Sequence, residues 1–203
     1  MKLENHYPTR LLPLIYVLFF VSGITGLVYE VAWTKMFVVI FGNTTYAVAA
    51  VLSAFMAGFA LGSIILGRKG DTFSRPIVAY GVLEICIGIY ALILPSILDK
   101  LTGFYALIYA TFGEESHLIE LLRFLISFLL LLIPTTLMGG TLPVLSKFAG
   151  QDLSRAGRGI GGLYAINTFG AVLGSFVSGF LLIEFVGVSE SVYLSAALSI
   201  LVG

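Results

Sequence analysis

Two carboxylates, Glu30 and Glu84, stand in stretches that are otherwise oily enough to cross a membrane. An ionised side chain at the bilayer centre costs at least about 2.5–3.5 kcal/mol on insertion scales, so such residues are rare without a use. Two uses suit the residue type: a counter-charge for a proton or a small organic cation in a cavity, and a hydrogen-bonded clamp between helices. Tyr29 adjoins Glu30 and Trp33 lies three residues on, so two aromatic rings could add cation–π contacts beside that carboxylate. Lys35 and Asn167 are the partners expected of a clamp. Asn167, polar in apolar surroundings, is of the kind that bonds another helix. The candidate binding set is therefore Glu30, Tyr29, Trp33, Glu84 and Asn167. No catalytic residues are visible. His6 and His117 lie far apart and outside the apolar runs, so neither a metal site nor a cofactor is expected.

The elements that must position these residues are membrane helices. The chain of 203 residues is 59% hydrophobic and 11% charged, with a mean hydropathy of +1.05, which excludes an ordinary soluble domain. Spans of roughly 20 apolar residues are expected at 11–34, 44–66, 77–98, 121–146 and 161–185. A sixth starts near Val192 and is still apolar at Gly203, so it reads as incomplete, with the chain a piece of a longer protein. The fold class is thus all-α, a polytopic bundle of about six spans. Counted on to Phe41, the first run exceeds the bilayer core. Either Gly23 and Gly26 break or bend it, or it tilts and extends beyond the bilayer with Lys35 snorkelling to the outer interface. Gly42-Asn43 turns into the second span. The connection from Asp99 to Glu120 reads as a loop holding a short interfacial helix with Phe104, Tyr105, Tyr109 and Phe112 on one face. Glu120 and Arg123, three apart, are spaced to pair at the mouth of the fourth span. Pro134 and Pro143 each remove a backbone donor from the fourth span, with Gly139-Gly140 between them. That pattern suits a kinked helix, and Thr135, Thr136 and Thr141 are expected to satisfy the freed carbonyls.

Charge placement sets orientation. Lys2, Arg10, Arg68, Lys69, Arg75, Lys147, Arg155 and Arg158 fall in connections on one side. Asp99, Glu114, Glu115, Glu120, Glu184 and Glu190 fall on the other, with Lys100 and Arg123. By the positive-inside rule the N-terminus is cytoplasmic, in a plasma (inner) membrane. A formal net charge of +0 implies no pull toward nucleic acid. The single cysteine, Cys86, allows no intrachain disulfide, and the first run is too long for a cleaved signal peptide.

A short pattern recurs. Gly58-x-x-Leu61-Gly62-Ser63-x-x-x-Gly67 in the second span returns as Gly170-x-x-Leu173-Gly174-Ser175-x-x-x-Gly179 in the fifth. Copies three spans apart cross in opposite senses, as in an inverted-topology 3+3 repeat. Convergence on small-xxx-small helix packing accounts for the same residues.

Several blocks carry a resemblance. Gly67-x-x-x-Asp71-x-x-x-Arg75 resembles the loop signature of the major facilitator superfamily, with Thr72 and Ser74 departing from it. Larger blocks run from Phe20 to Lys35, Gly42 to Ala47, Phe55 to Ser63, Pro134 to Pro143 and Gly162 to Gly174. In order and spacing they resemble the membrane half of the fused major-facilitator-like/spermidine synthase proteins of prokaryotes. That resemblance implies half of a major-facilitator fold and an aminopropyltransferase-like domain beyond Gly203, with no catalytic residue in this chain. It implies a membrane module that anchors such an enzyme or handles polyamine-like cations. A half-transporter for a small solute and a purely structural anchor are the alternatives. Expected partners are the lipid bilayer, a polyamine or other small cation, a downstream soluble domain or a second copy.

Overall fold

Leu12 opens a helix with proline in its first turn, where the missing N–H has no helical role. This helix, α1, runs unbroken over Leu12–Phe41 and ends at Gly42 in the left-handed conformation (φ 64°), whose N–H bonds Val38 O at 2.9 Å. The computed structural model describes residues 11–70, 73–112, 117–149 and 156–203. Lys2, His6, Arg10, Asp71, Thr72, Glu114, Glu115 and Arg155 lie outside the described residues, as do the side chains of Phe104, Tyr105, Tyr109, Phe112 and His117.

Asn43 starts the next helix: its Oδ1 accepts the Thr45 N–H at 2.8 Å, an N-cap that satisfies one orphan donor. Helix α2 spans Thr44–Gly70, α3 Pro76–Phe112 and α4 His117–Ala149. Helix α5 begins at Ala156–Val177 and continues through a π-helical turn at Ser178–Leu182 into a last α turn, Ile183–Phe185. Gly187 (φ 109°) makes the turn into α6, Val188–Val202. No strand occurs among the described residues. Five of these helices are long and apolar enough to cross a membrane, and α6 is a shorter apolar helix.

The helices overrun the expected spans, and one expectation is overturned. Residues 99–112 are not a loop with a separate interfacial helix but the continuation of α3. Asp99 and Lys100 end the apolar stretch, yet they are ordinary helix residues, no proline follows them, and the lone Gly103 is carried within the helix; Thr102 Oγ1 bonds back to Leu98 O at 2.9 Å. Of the two alternatives for the long first run, the unbroken helix is the one found: Gly23 and Gly26 do not interrupt α1.

The most extensive packing joins α2 to α4 and α1 to α5, while α3 and α6 pack against each other and close the bundle against α4 and α1. Glycines explain the closeness. A methyl group built on Gly62 would strike the Thr136 carbonyl oxygen, and one on Gly174 the Ile24 carbonyl oxygen. Gly58 abuts Thr135, and Gly170 abuts the Phe20 carbonyl. Backbones at this distance gain dispersion contacts that lipid cannot supply.

Both prolines within α4 are accommodated from outside the helix. Pro134 cannot donate to the Leu130 carbonyl, nor Pro143 to the Gly139 carbonyl. Tyr90 Oη of α3 donates to Leu130 O at 2.7 Å, and Ser63 Oγ of α2 donates to Gly139 O at 3.0 Å. The threonines therefore do not play the role expected of them. Thr135 donates to Leu131 O (2.6 Å), Thr136 to Leu132 O (2.6 Å) and Thr141 to Met138 O (2.7 Å).

Outward faces are apolar: Val39, Phe169, Val172, Phe180 and Leu129 are all exposed, as lipid-facing residues should be. Inside, one apolar cluster gathers Trp33, Phe37, Phe55, Leu94 and Leu131; a second gathers Ile15, Phe19, Leu145, Phe148 and Leu163.

Candidate functional site

Between those two clusters lies a polar seam. Ser22, Thr25 and Tyr29 occur at helical spacing on α1, so they share a face. Tyr80 and Glu84, four apart, share a face of α3. Helix α6 approaches them because Ser191, Ser195 and Ser199 form a stripe of small buried residues, and because α3 offers Gly81 and Gly88 at the crossing.

The bonds run in one direction along the seam. Tyr29 Oη donates to Ser199 Oγ at 3.2 Å, Ser199 Oγ donates to Thr25 Oγ1 at 3.2 Å, and Thr25 Oγ1 donates to Ser22 O at 3.0 Å. Ser22 Oγ in turn donates to Glu84 Oε1 at 2.5 Å. The Tyr80 hydroxyl adjoins the same carboxyl and reaches Leu18 O at 3.4 Å. Glu84 is 1% exposed, and Thr25, Tyr29, Tyr80 and Ser199 are as deeply covered, while Ser22 is half-buried. No basic side chain pairs with Glu84 among the described residues. Chemically, this is a carboxyl that can hold a proton among hydroxyls. It lines neither of two clefts at the ends of the bundle.

The structure brings only some of the sequence candidates together. Tyr29 and Glu84 belong to the seam. Trp33 stacks on Tyr29 with ring centroids 5.0 Å apart and planes 14° from parallel; both rings are buried, and Trp33 Nε1 has no hydrogen-bond partner among the described residues. Glu30 stands apart, half-buried on α1. Thr34 Oγ1 donates to its backbone carbonyl at 2.7 Å, but its carboxylate bonds neither Lys35, which is exposed, nor Asn167. Asn167 Nδ2 donates instead to Phe19 O at 2.9 Å, tying α5 to α1.

Ser22, Thr25, Tyr80 and Ser199 were not among the candidates. Their signal was present all the same: hydroxyls at i, i+3 and i+7 on α1, a tyrosine one turn before Glu84, and a serine every fourth residue on α6.

No protein-family model, curated protein or solved structure matches the chain.

Proposed function

We propose that this chain is the membrane module of a spermidine-synthase-like protein, built as half of a major-facilitator fold, and that it handles a proton or polyamine-like cation through Glu84. The observation that carries the reading is the buried Glu84 carboxyl with its hydroxyl partners, because an ionisable group kept at membrane depth is by default a working group. The sequence blocks described above support the family. The 3+3 repeat draws support from equal intervals: Pro76 to Val188, where α3 and α6 begin, matches Gly58 to Gly170 and Gly62 to Gly174. Ile24 and Thr136, which receive Gly174 and Gly62, are spaced by that interval too. The proposed orientation puts the N-terminus in the cytoplasm of a bacterial-type inner membrane.

The test is proton flux in proteoliposomes carrying the full chain, read with an internal pH dye on addition of spermidine. Spermidine-dependent flux that disappears in Glu84→Gln, while the variant folds and inserts normally, is the expected result. Absence of flux from the unaltered chain, with both Glu84→Gln and Glu30→Gln altering thermal stability alone, would leave the structural anchor as the reading. The closure of the seam, in which each hydroxyl donates to another protein group, is the observation that favours this alternative.

A further inference from the structure

At the end of the bundle where α2 and α4 finish and α3 and α5 begin, a cleft of about 470 Å3 opens between α2 and α3. The two helices follow each other in the chain but scarcely touch: both lean on α4, and the space between them is left open. Leu66 forms the α2 side, while Phe73, Ser74, Arg75, Val78 and Val82 form most of the other. Arg75 is exposed at the mouth and makes no hydrogen bond or ion pair among the described residues.

Spacing on α3 carries the site into the bilayer. Arg75, Val78, Val82 and Cys86 fall at i, i+3, i+7 and i+11, so they share a face, and all four are exposed. From Arg75 to Cys86 the helix rises about 16 Å, close to half of a hydrocarbon core about 30 Å thick. The strip is therefore as long as one leaflet, with a guanidinium at its head and uncharged side chains below. No water is at hand in the bilayer core, so acyl chains fill an apolar groove there. An anion suits the head. Arg75 offers paired N–H donors to phosphate oxygens, Ser74 adds a hydroxyl, and no acidic side chain lines the cleft among the described residues.

We propose that this cleft binds an anionic phospholipid, its phosphate held by Arg75 and one acyl chain laid along Val78, Val82 and Cys86. Headgroup charge decides the class: a zwitterionic lipid brings an ammonium as well, which Arg75 repels. Pockets between membrane helices that hold a basic side chain at headgroup level are suited to this chemistry.

The full chain in detergent, titrated with lipids and read by native mass spectrometry, tests the assignment. Phosphatidylglycerol should bind roughly tenfold more tightly than phosphatidylcholine with the same acyl chains, the worth of one charge-assisted contact. Arg75→Gln, a change at an exposed residue, should remove that preference. Arg68→Gln removes the same charge from the last turn of α2, outside the cleft wall, and should leave the preference intact. Val82→Trp sets an indole on the acyl track and should weaken both lipids; Val82 is 53% exposed, so the bundle's packing is untouched. Equal binding of the two lipids, a preference that survives Arg75→Gln, an equal loss in Arg68→Gln, or unchanged binding in Val82→Trp would overturn the proposal. Displacement of phosphatidylglycerol by an equal concentration of soluble glycerol phosphate would identify the free phosphate as the ligand and overturn the lipid assignment.

Discussion

Tyr90 of α3 donates its hydroxyl hydrogen to the Leu130 carbonyl of α4 at 2.7 Å, the one carbonyl that Pro134 leaves without a helical donor. A hydroxyl from a neighbouring helix thus replaces a backbone N–H. The arrangement ties α3 to α4 at the point where α4 would otherwise be weakest.

Tyr90→Phe should therefore destabilise the chain by about 0.6–1.7 kcal/mol, from the average to the largest value measured for hydrogen bonds between membrane helices. In a Pro134→Ala background the restored N–H answers Leu130, and the same change should cost much less. Unfolding in mixed micelles, followed for both single variants and the double, gives the coupling. Equal costs in the two backgrounds would contradict the assignment.

The glycines divide into two groups that a single methyl distinguishes. Gly62→Ala pushes a methyl into the Thr136 carbonyl oxygen and should cost about 1–3 kcal/mol by overpacking. Gly26 has nothing within 4 Å of the position a Cβ would take, so Gly26→Ala should stabilise by about 0.5–1 kcal/mol through helix propensity. Thermal unfolding in detergent should move in opposite directions for the two variants.

Tyr29 and Ser199 join α1 to α6 through a buried bond of 3.2 Å. Tyr29→Phe and Ser199→Ala should each destabilise by about 1 kcal/mol, and the double variant by less than the sum. Strict additivity would show that the two hydroxyls do not interact.

Orientation is open to labelling. In a Cys86→Ser background, a cysteine at Ser74, which is exposed between α2 and α3, should be protected from an impermeant thiol reagent added outside intact cells. A cysteine at Asn43, exposed at the opposite end of α2, should react. Labelling at Ser74 and protection at Asn43 would invert the topology inferred from the basic connections.

Much of the fold was legible because lipid leaves the backbone few choices: apolar runs of this length must be helices. What hydropathy does not encode is where a helix stops once its polar end leaves the bilayer, and α3 runs on through Asp99 and Lys100 for that reason. The seam was half legible. Glu84 is conspicuous by type, but its standing depends on Ser22 and Ser199, residues small enough to pass for packing. Glu30 is equally conspicuous and its carboxylate has no bonded partner among the described residues, since the face a side chain occupies depends on how α1 is rotated against α5. The hydroxyls that serve the two prolines belong to Tyr90 and Ser63 on other helices and not to the adjacent threonines, because proximity in sequence is a poor guide to a donor across a helix interface.

The glycine contacts have a mechanical consequence. Helices whose backbones interlock, as α2 does with α4 and α1 with α5, resist sliding, because a shift of a turn would drive side chains into carbonyl oxygens. Each pair is a strut. Displacement is cheapest along the boundaries between struts, where ordinary side chains meet and can change rotamer. The Ser22–Glu84 and Tyr29–Ser199 bonds lie across the boundary between the α1–α5 strut and the α3–α6 pair. With Tyr80–Leu18 and Ser199–Thr25 across the same boundary, they are latches on a shear plane, and all four would have to open together before that plane could move.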